Sequence, residues 1–284
     1  MQIENHKLSD RPLSQSDLSS LLASTFLRGV CHFEETDSTN GQATRWLASD
    51  SKLETPCLIY AESQTAGRGR GANRWWSQAG SLTFSVIVDL EKFGLTPNQQ
   101  IKLPLLTGLA VLRTGQALTD QSANVRNDFA LKWPNDVYLA GRKLAGILIE
   151  VPSKTAGNSA ETPAVHAVIG VGLNVNNSWE NAPDDLRTKG ISLSDHAGSS
   201  FDRLILLEVF LKHLETLIKG LADGLPVLDD WSDHCLLTGK QVTLLVGDQE
   251  VSGECLGLAP TGALMLQTDQ GTQEFLGGIV KSWT

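Results

Sequence analysis

The chain has 284 residues, 41% apolar and 19% charged, with a formal net charge of −9 and a pI near 5.1. Length and balance exclude a disulfide-stapled mini-protein and a disordered or fibrous chain, and no run of about 18 apolar residues marks a membrane span. The acidic charge opposes the broad basic footprint of a general nucleic-acid binder, and the start, MQIENHKLSDRPLS, lacks the basic and apolar regions of a secretory signal, so the cytoplasm is the default location.

Residues 1–29 predict one helix, over about 17–27, with Ser16 as its cap. VCHFEETDSTNGQATRWLA predicts a strand near residues 30–33, then a helix opened by Ser38 or Thr39 that carries Ala43, Trp46 and Leu47 on one side. Residues 57–61 read as a buried strand entering ESQTAGRGRGANRWW. Leu82, Phe84, Val86, Val88 and Leu90 alternate strictly after it, so the glycine-arginine stretch joins two strands of a core sheet.

Helical spacing follows at Ile101, Leu105, Leu109 and Leu112. FALKWPNDVYLAGRKLAGILIEV reads as three short strands turning at Pro134-Asn135-Asp136 and Ala140-Gly141. PSKTAGNSAETP is expected as a surface loop and VHAVIGVGLNV as another buried strand. Leu204, Leu207, Leu211, Leu214 and Ile218 mark a long amphipathic helix, with a second helical stretch over about 227–236. From Gly239 the alternation of Val242, Leu244 and Val246 opens a small β-domain over 238–284.

Four stretches carry candidate chemistry. In the glycine-arginine loop, Gly67, Gly69 and Gly71 let backbone approach a ligand, and Arg68 and Arg70 offer forked donors to phosphate oxygens. Alone it could be a solvated loop, but Trp75 and Trp76 need burial or a stacking partner. In KWPND…RKLAG, Lys132 and Lys143 can neutralise phosphate or carboxylate charge, Asp136 can hold a magnesium ion, and Gly146 inside an apolar strand marks a close approach. Asp37-Ser38-Thr39-Asn40 reads by itself as a helix cap, worth about 1 kcal/mol. In IGVGLNV, Gly170 and Gly172 thin a buried strand and Asn174 adds a two-sided polar group.

Six scattered histidines without metal spacing argue against zinc or Cys–His chemistry, and the four dispersed cysteines read as buried inert thiols. What remains is a site for binding and charge neutralisation, which suffices for phosphoryl or nucleotidyl transfer.

In this order, ETDSTN, AESQTAGRGRGANRWW, LKWPNDVYLAGRKLAGILIEV and IGVGLNV resemble the biotin protein ligases, also called biotin–[acetyl-CoA-carboxylase] ligases. The resemblance runs from about Val30 to the C-terminus and includes PDDLRTKGISL. It implies an α+β fold: a central mixed or antiparallel sheet flanked by helices, class II synthetase-like, with a small C-terminal Src-homology-3-like β-barrel. The implied division is an N-terminal helical extension (1–29), a catalytic domain (30–237) and the barrel (238–284).

It further implies that biotin and ATP, with Mg²⁺, give biotinyl-5′-adenylate and pyrophosphate. The biotinyl group then passes to one lysine of a biotin carboxyl carrier domain. Carried over by position, Ser38, Thr39, Asn40, Gln64, Arg68, Gly69, Lys143 and Gly146 would bind biotin, with Lys143 reaching its carboxylate and the α-phosphate. Arg70, Trp75, Lys132, Asn135 and Asn174 would serve the nucleotide, and Asp136 the magnesium; Lys143, Arg68 and Arg70 would be catalytic.

The loop departs from the family pattern GRGRxGRxW at Ala72 and Asn73. The expected enzyme is of the monofunctional type, lacking the N-terminal winged helix, with no nucleic-acid or membrane partner and with a homodimer left open. Its rivals are a lipoate or octanoate ligase, a biotin-responsive transcription regulator and a non-catalytic binding module.

Overall fold

The computed structural model describes residues 11–49, 54–119, 128–152 and 165–284. Seven strands form the main sheet: β1 (Gly29–Thr36), β2 (Cys57–Gln64), β3 (Leu82–Asp89), β4 (Phe129–Lys132), β5 (Asp136–Leu139), β6 (Arg142–Glu150) and β7 (His166–Leu173). They lie in the order β1-β2-β3-β7-β6-β5-β4. Only β1 and β2 pair in parallel; every other neighbour is antiparallel, so the sheet is mixed, as expected.

Strand periodicity sends alternate residues to opposite faces. Leu82, Phe84, Val86 and Val88 of β3, with Ala167, Ile169 and Val171 of β7, join one core with the helices Leu103–Leu118 and Arg203–Ala222. Ile59, Ile87 and Val168 face the other way and pack with Ala43 of the helix Thr39–Ala48. This second helix covers only part of its face. β3 is buried along its whole length, because the polar partners in its alternation, Thr83 and Ser85, lie on that second face and not in solvent.

Several boundaries move from the sequence expectation. The first helix is Gln15–Ser24 with Ser14, not Ser16, as its cap: the Asp17 carboxylate at the third helical position accepts from the Ser14 amide, closing a capping box. Arg203 ties the segment before it to the sheet, donating to the Arg11 carbonyl (2.8 Å) and to Glu62 (2.8 Å), while Glu62 also accepts from the Leu13 amide (3.0 Å). Ile101 is exposed and lies outside the 103–118 helix. The second C-terminal helical stretch is only Asp229–Asp233. PSKTAGNSAETP falls, from residue 153 on, outside the described residues.

Beyond it, β8 (Gln241–Val246), β9 (Gln249–Leu258), β10 (Leu264–Thr268), β11 (Gly271–Phe275) and β12 (Ile279–Trp283) make an antiparallel sheet ordered β11-β10-β9-β8-β12. Its apolar face is continuous with the main core through Leu131, Trp133, Leu237, Leu244 and Leu264. Buried Trp133 donates from Nε1 to the Gly262 carbonyl (3.2 Å), and Leu131 exchanges backbone bonds with the 234–236 segment. The cysteines, distant in sequence, meet as hydrogen-bonded free thiol pairs, Cys31 with Cys57 and Cys235 with Cys255; the bond from Cys255 draws the Cys235 thiol down to about 6. Among the described residues no helix is long and apolar enough to cross a membrane.

Candidate active site

The uncovered part of the second sheet face is a trough whose floor can be read as rows across the strands. One row runs Lys132, Asp136, Gly146, Gly172, Thr83 through β4, β5, β6, β7 and β3. The next runs Leu148, Gly170, Ser85. At about 4.8 Å per strand the first row spans roughly 19 Å, long enough for an extended ligand. Glycines take its centre because nothing larger fits: a Cβ on Gly170 would lie 2.1 Å from Asn40 Oδ1, and one on Gly172 would lie 2.2 Å from Trp75. A Cβ on Gly146 would lie 3.3 Å from both Lys143 and Trp75. The glycines noted in the sequence are thus sites of close approach by these side chains.

Above this floor lies a pocket of about 580 Å³, within the usual range for small-molecule sites. Among the described residues it is lined by six cations, Arg68, Arg70, Arg74, Lys132, Lys143 and Lys189, against one carboxylate, Asp136. In a chain of net charge −9, such a cationic cleft focuses anionic ligands.

Lys143 Nζ pairs with Asp136 Oδ1 at 2.6 Å. The β5–β6 pairing slips by one residue between Val137 and Tyr138, so Leu144 and Ala145 are consecutively buried and Lys143 emerges on the same side as Gly146. The turn before it uses Ala140 and Gly141, both at positive φ, as a tight hairpin requires. Asn174, fully buried, donates to the Lys143 carbonyl (3.5 Å) and pairs through its own amide N–H with the Leu144 carbonyl (3.0 Å), so it braces this strand from behind.

Lys132 lies across from Asp136, between the Trp283 ring (4.6 Å) and the Tyr138 ring (5.8 Å). Burial lowers its pKa from 10.5, opposed by Asp136, and pushes the Tyr138 hydroxyl up to about 12. As pH rises Lys132 therefore sheds its charge before an exposed lysine does. We expect kcat/KM for an anionic nucleotide to fall on the alkaline side earlier than an ordinary lysine would allow, and Lys132→Arg, which keeps its charge, to flatten that limb; the pH profile checks this.

The glycine-arginine stretch is a small hairpin. The Gly69 amide donates to the Asn73 carbonyl (2.8 Å), the Asn73 amide to Arg70 (3.2 Å) and the Trp75 amide to Gly67 (3.0 Å). Gly71 holds the positive φ at its tip. Ala72 and Asn73 are exposed there, and the pairing uses only the Asn73 backbone, so their departure from the family pattern leaves hairpin closure intact. Arg70 reaches from the hairpin to Asn135 Oδ1 (3.4 Å) and the Gly278 carbonyl (3.3 Å). Arg68 pairs with Glu150 (2.5 Å). Trp75 lies over Gly172, its Nε1 buried with no acceptor among the described residues.

At the other end, Ser38 caps the Thr39–Ala48 helix through the Gly41 amide while also lining the pocket. Gln64 Oε1 accepts from the Thr39 amide (2.7 Å). Asn40 lines the pocket, but its amide is turned to protein partners: Leu148, Glu150 and Ser85.

Ser38, Thr39, Asn40, Gln64, Arg68, Gly69, Arg70, Trp75, Lys132, Asn135, Asp136, Lys143, Gly146 and Asn174 all line this one pocket, whereas Asp37 and Gly67 of the same stretches do not. Sequence reading missed Thr83, the Trp179 ring seated on Gly190 and Gly278–Val280 in the lining, and Glu150 and Ser85 behind it, where they bond Asn40. Ser85 and Thr83 left a signal, small polar residues alternating inside a buried strand; the C-terminal contribution left none.

Comparison with known proteins gives concordant findings. The model of the Biotin/lipoate A/B protein ligase family matches residues 33–174, and that of the Biotin protein ligase C terminal domain matches residues 237–281. The chain is 34% identical over 234 residues to the biotin–[acetyl-CoA-carboxylase] ligase of Mycobacterium tuberculosis, covering 82% of this chain and 80% of that protein. It is 33% identical over 253 residues to the bifunctional ligase/repressor BirA of Escherichia coli (strain K12), covering 87% and 69%. Among solved structures, the biotin protein ligase from Aquifex aeolicus in complex with biotin and ATP superposes with a TM-score of 0.74 at 26% identity, covering 91% of this chain and 99% of that one.

Proposed function

The chain belongs to the biotin protein ligases of the biotin/lipoate A/B protein ligase family, and from that premise we propose how its pocket performs the ATP-dependent reaction. The observation that carries the assignment of parts is the polarity of the trough: a small polar wall at Ser38, Thr39 and Gln64 at one end, and a cationic cluster at Lys143, Lys132 and Arg70 at the other. Biotin's ring system takes the wall. Its side chain runs along the trough beside Asn40 and Trp75, which cover Gly170 and Gly172, and its carboxylate meets the α-phosphate of ATP at Lys143.

There a carboxylate oxygen attacks the α-phosphorus, forming the mixed anhydride as pyrophosphate leaves. Two anions must come together, so Lys143 offsets their repulsion, and Arg70 and Lys132 hold the phosphate side. The ε-amine of a lysine on the carrier domain then attacks the biotinyl carbonyl. The amide forms, AMP leaves and the amine's proton is released.

For magnesium, the donor set supports one arrangement. Asp136 is the only carboxylate lining the pocket among the described residues, so it would hold the ion together with phosphate oxygens and water, giving up its bond to Lys143. Magnesium bound there would neutralise phosphate charge.

The division 1–29, 30–237 and 238–284 remains our reading of the chain. We read the C-terminal sheet as a Src-homology-3-like barrel. Five short strands and bulges at Met265/Leu266 and Val280/Ser282, which sharpen twist, support this. The acceptor is a biotin carboxyl carrier domain, and ATP as co-substrate supports a cytoplasmic location.

The test separates the two half-reactions. With biotin and ATP alone, purified protein accumulates bound adenylate; adding an apo carrier domain then adds one biotinyl mass at one lysine. Arg70 links the loop to both Asn135 and Gly278, so Arg70→Gly is expected to speed adenylate loss to solvent by about tenfold, the weight of one charge-assisted bond. A release rate equal to wild type would contradict the role of the loop.

A further inference from the structure

The reaction above uses none of the four cysteines, yet they meet as two pairs of different geometry. Cys31 and Cys57 lie on the parallel strands β1 and β2, but Cys31 stands opposite Ile59, two residues along from Cys57. Strands about 4.8 Å apart with a rise of about 3.3 Å per residue put those two Cα atoms roughly 8 Å from each other. A disulfide bridges at most about 7 Å without moving backbone, so this pair can meet only through its side-chain ends.

Cys235 and Cys255 are placed differently. Cys235 lies in the segment that extends the edge of β4, bridging to Leu131. The chain then turns directly onto β9: the Gly239 amide donates to the Cys255 carbonyl (2.8 Å), the Cys255 amide donates to the Lys240 carbonyl (2.9 Å), and the Lys240 amide closes the turn on the Leu237 carbonyl (3.0 Å). The backbone of Cys255 is thus fixed to the turn that Cys235 opens.

The two sulfurs are not equivalent. Cys255 is 1% exposed, whereas Cys235 is only partly buried. The Cys235 sulfur is held by the Cys255 thiol, the Thr238 hydroxyl and the Leu237 and Thr238 amides. Donors gathered on one sulfur favour its anion, which is the nucleophilic form. A reachable anion backed by a buried thiol is the arrangement of an attacking cysteine with a resolving one.

We propose that Cys235 and Cys255 are a redox-active dithiol that reacts with hydrogen peroxide, Cys235 attacking and Cys255 resolving. The Cys235 thiolate bonds to one peroxide oxygen, the O–O bond breaks, and the departing hydroxide takes up the proton that the thiol had released, giving water. The Cys255 sulfur then attacks the sulfenic acid left on Cys235. The S–O bond breaks, and hydroxide leaves with the Cys255 proton as a second water. Two thiols are oxidised to one disulfide, and one peroxide is reduced to two waters. A dithiol reductant restores the pair.

The new bond ties β9 to the edge of β4. The sheet that contains β9 brings the Gly278 carbonyl to Arg70 (3.3 Å) and the Trp283 ring to Lys132 (4.6 Å), so oxidation reaches the phosphate side of the pocket. This last step rests on the ligase reading above; the thiol chemistry does not.

The experiment exposes the full chain to equimolar hydrogen peroxide near neutral pH, blocks free thiols by alkylation and maps peptides by mass without reduction. A cross-link between Cys235 and Cys255 is expected, reversed by dithiothreitol, with Cys31 and Cys57 still alkylated. Cys255→Ser should stop at the sulfenic acid, trapped on Cys235 by dimedone, and Cys235→Ser should leave Cys255 unoxidised. Cys255→Ala carries the same comparison if the serine variant melts below the assay temperature, and the wild-type map needs neither.

No cross-link, a cross-link between other cysteines, or oxidation of Cys31 as fast as Cys235 would overturn the proposal. In ATP–pyrophosphate exchange, the oxidised protein should show a KM for ATP raised about threefold or more, recovered with dithiothreitol. An unchanged KM in cross-linked protein would overturn the connection to the pocket. Absence of any biotin-dependent exchange in reduced wild type is a different failure, and removes the biotin reading itself.

Discussion

Replacing Lys143 by alanine is expected to slow single-turnover formation of biotinyl-5′-adenylate by about a hundredfold, roughly 2.7 kcal/mol on the barrier. The size follows from position. Lys143 stands on a bulged strand, beside the glycine floor, where we propose that carboxylate and α-phosphate meet, and its charge is held in place by Asp136 at 2.6 Å. Its contribution grows as negative charge is drawn together on the way to the transition state, so the loss is expected in the rate of the chemical step more than in biotin affinity. Lys143→Arg keeps the charge but displaces it, and should recover only part of the rate. Rapid-quench measurement of adenylate under saturating substrates checks both, and near-normal turnover in Lys143→Ala would remove this residue from the chemistry.

The second large effect is expected at two neighbouring glycines, with opposite outcomes. Gly170→Ala places a methyl 2.1 Å from Asn40 Oδ1, inside a wall whose members are all bonded to protein. Nothing there can yield cheaply. Overpacking of about 2 kcal/mol should lower the melting temperature by about 4–8 °C. Gly172→Ala places its methyl 2.2 Å from the Trp75 ring, but Trp75 is half-buried at the base of a surface hairpin and can move out. Stability then changes little, by less than about 1 kcal/mol, while adenylate formation falls about tenfold as the hairpin leaves the trough. Thermal melts and exchange rates on the same two proteins separate the cases.

These glycines also show what was legible in the sequence. Glycine inside an apolar strand announces a close approach but not by what, because the visitor comes from a different strand or helix and local pattern carries no register between them. Ser38 illustrates the same limit: one side chain both caps the helix and lines the pocket, and the local sequence shows only the cap. In β3 the alternation of Leu82, Phe84, Val86 and Val88 was plain, yet it could not tell that Ser85 opposite them faces a buried polar wall.

The order of the motifs along the chain did determine the pocket, since each borders a strand of one sheet. Least visible were Gly278 and Trp283, which reach Arg70 and Lys132 across more than a hundred residues. Only the packing of the C-terminal sheet against Trp133 brings them there. The first helix failed for a local reason, because Ser14 and Ser16 are both competent caps, and Asp17, three residues after Ser14, decides between them.

The central claim is that this trough activates biotin, and ATP–pyrophosphate exchange driven by different acids tests it most directly. With wild-type protein and Mg²⁺, biotin should drive exchange while lipoate and octanoate at equal concentration do not; exchange driven by lipoate or octanoate but not by biotin would contradict it.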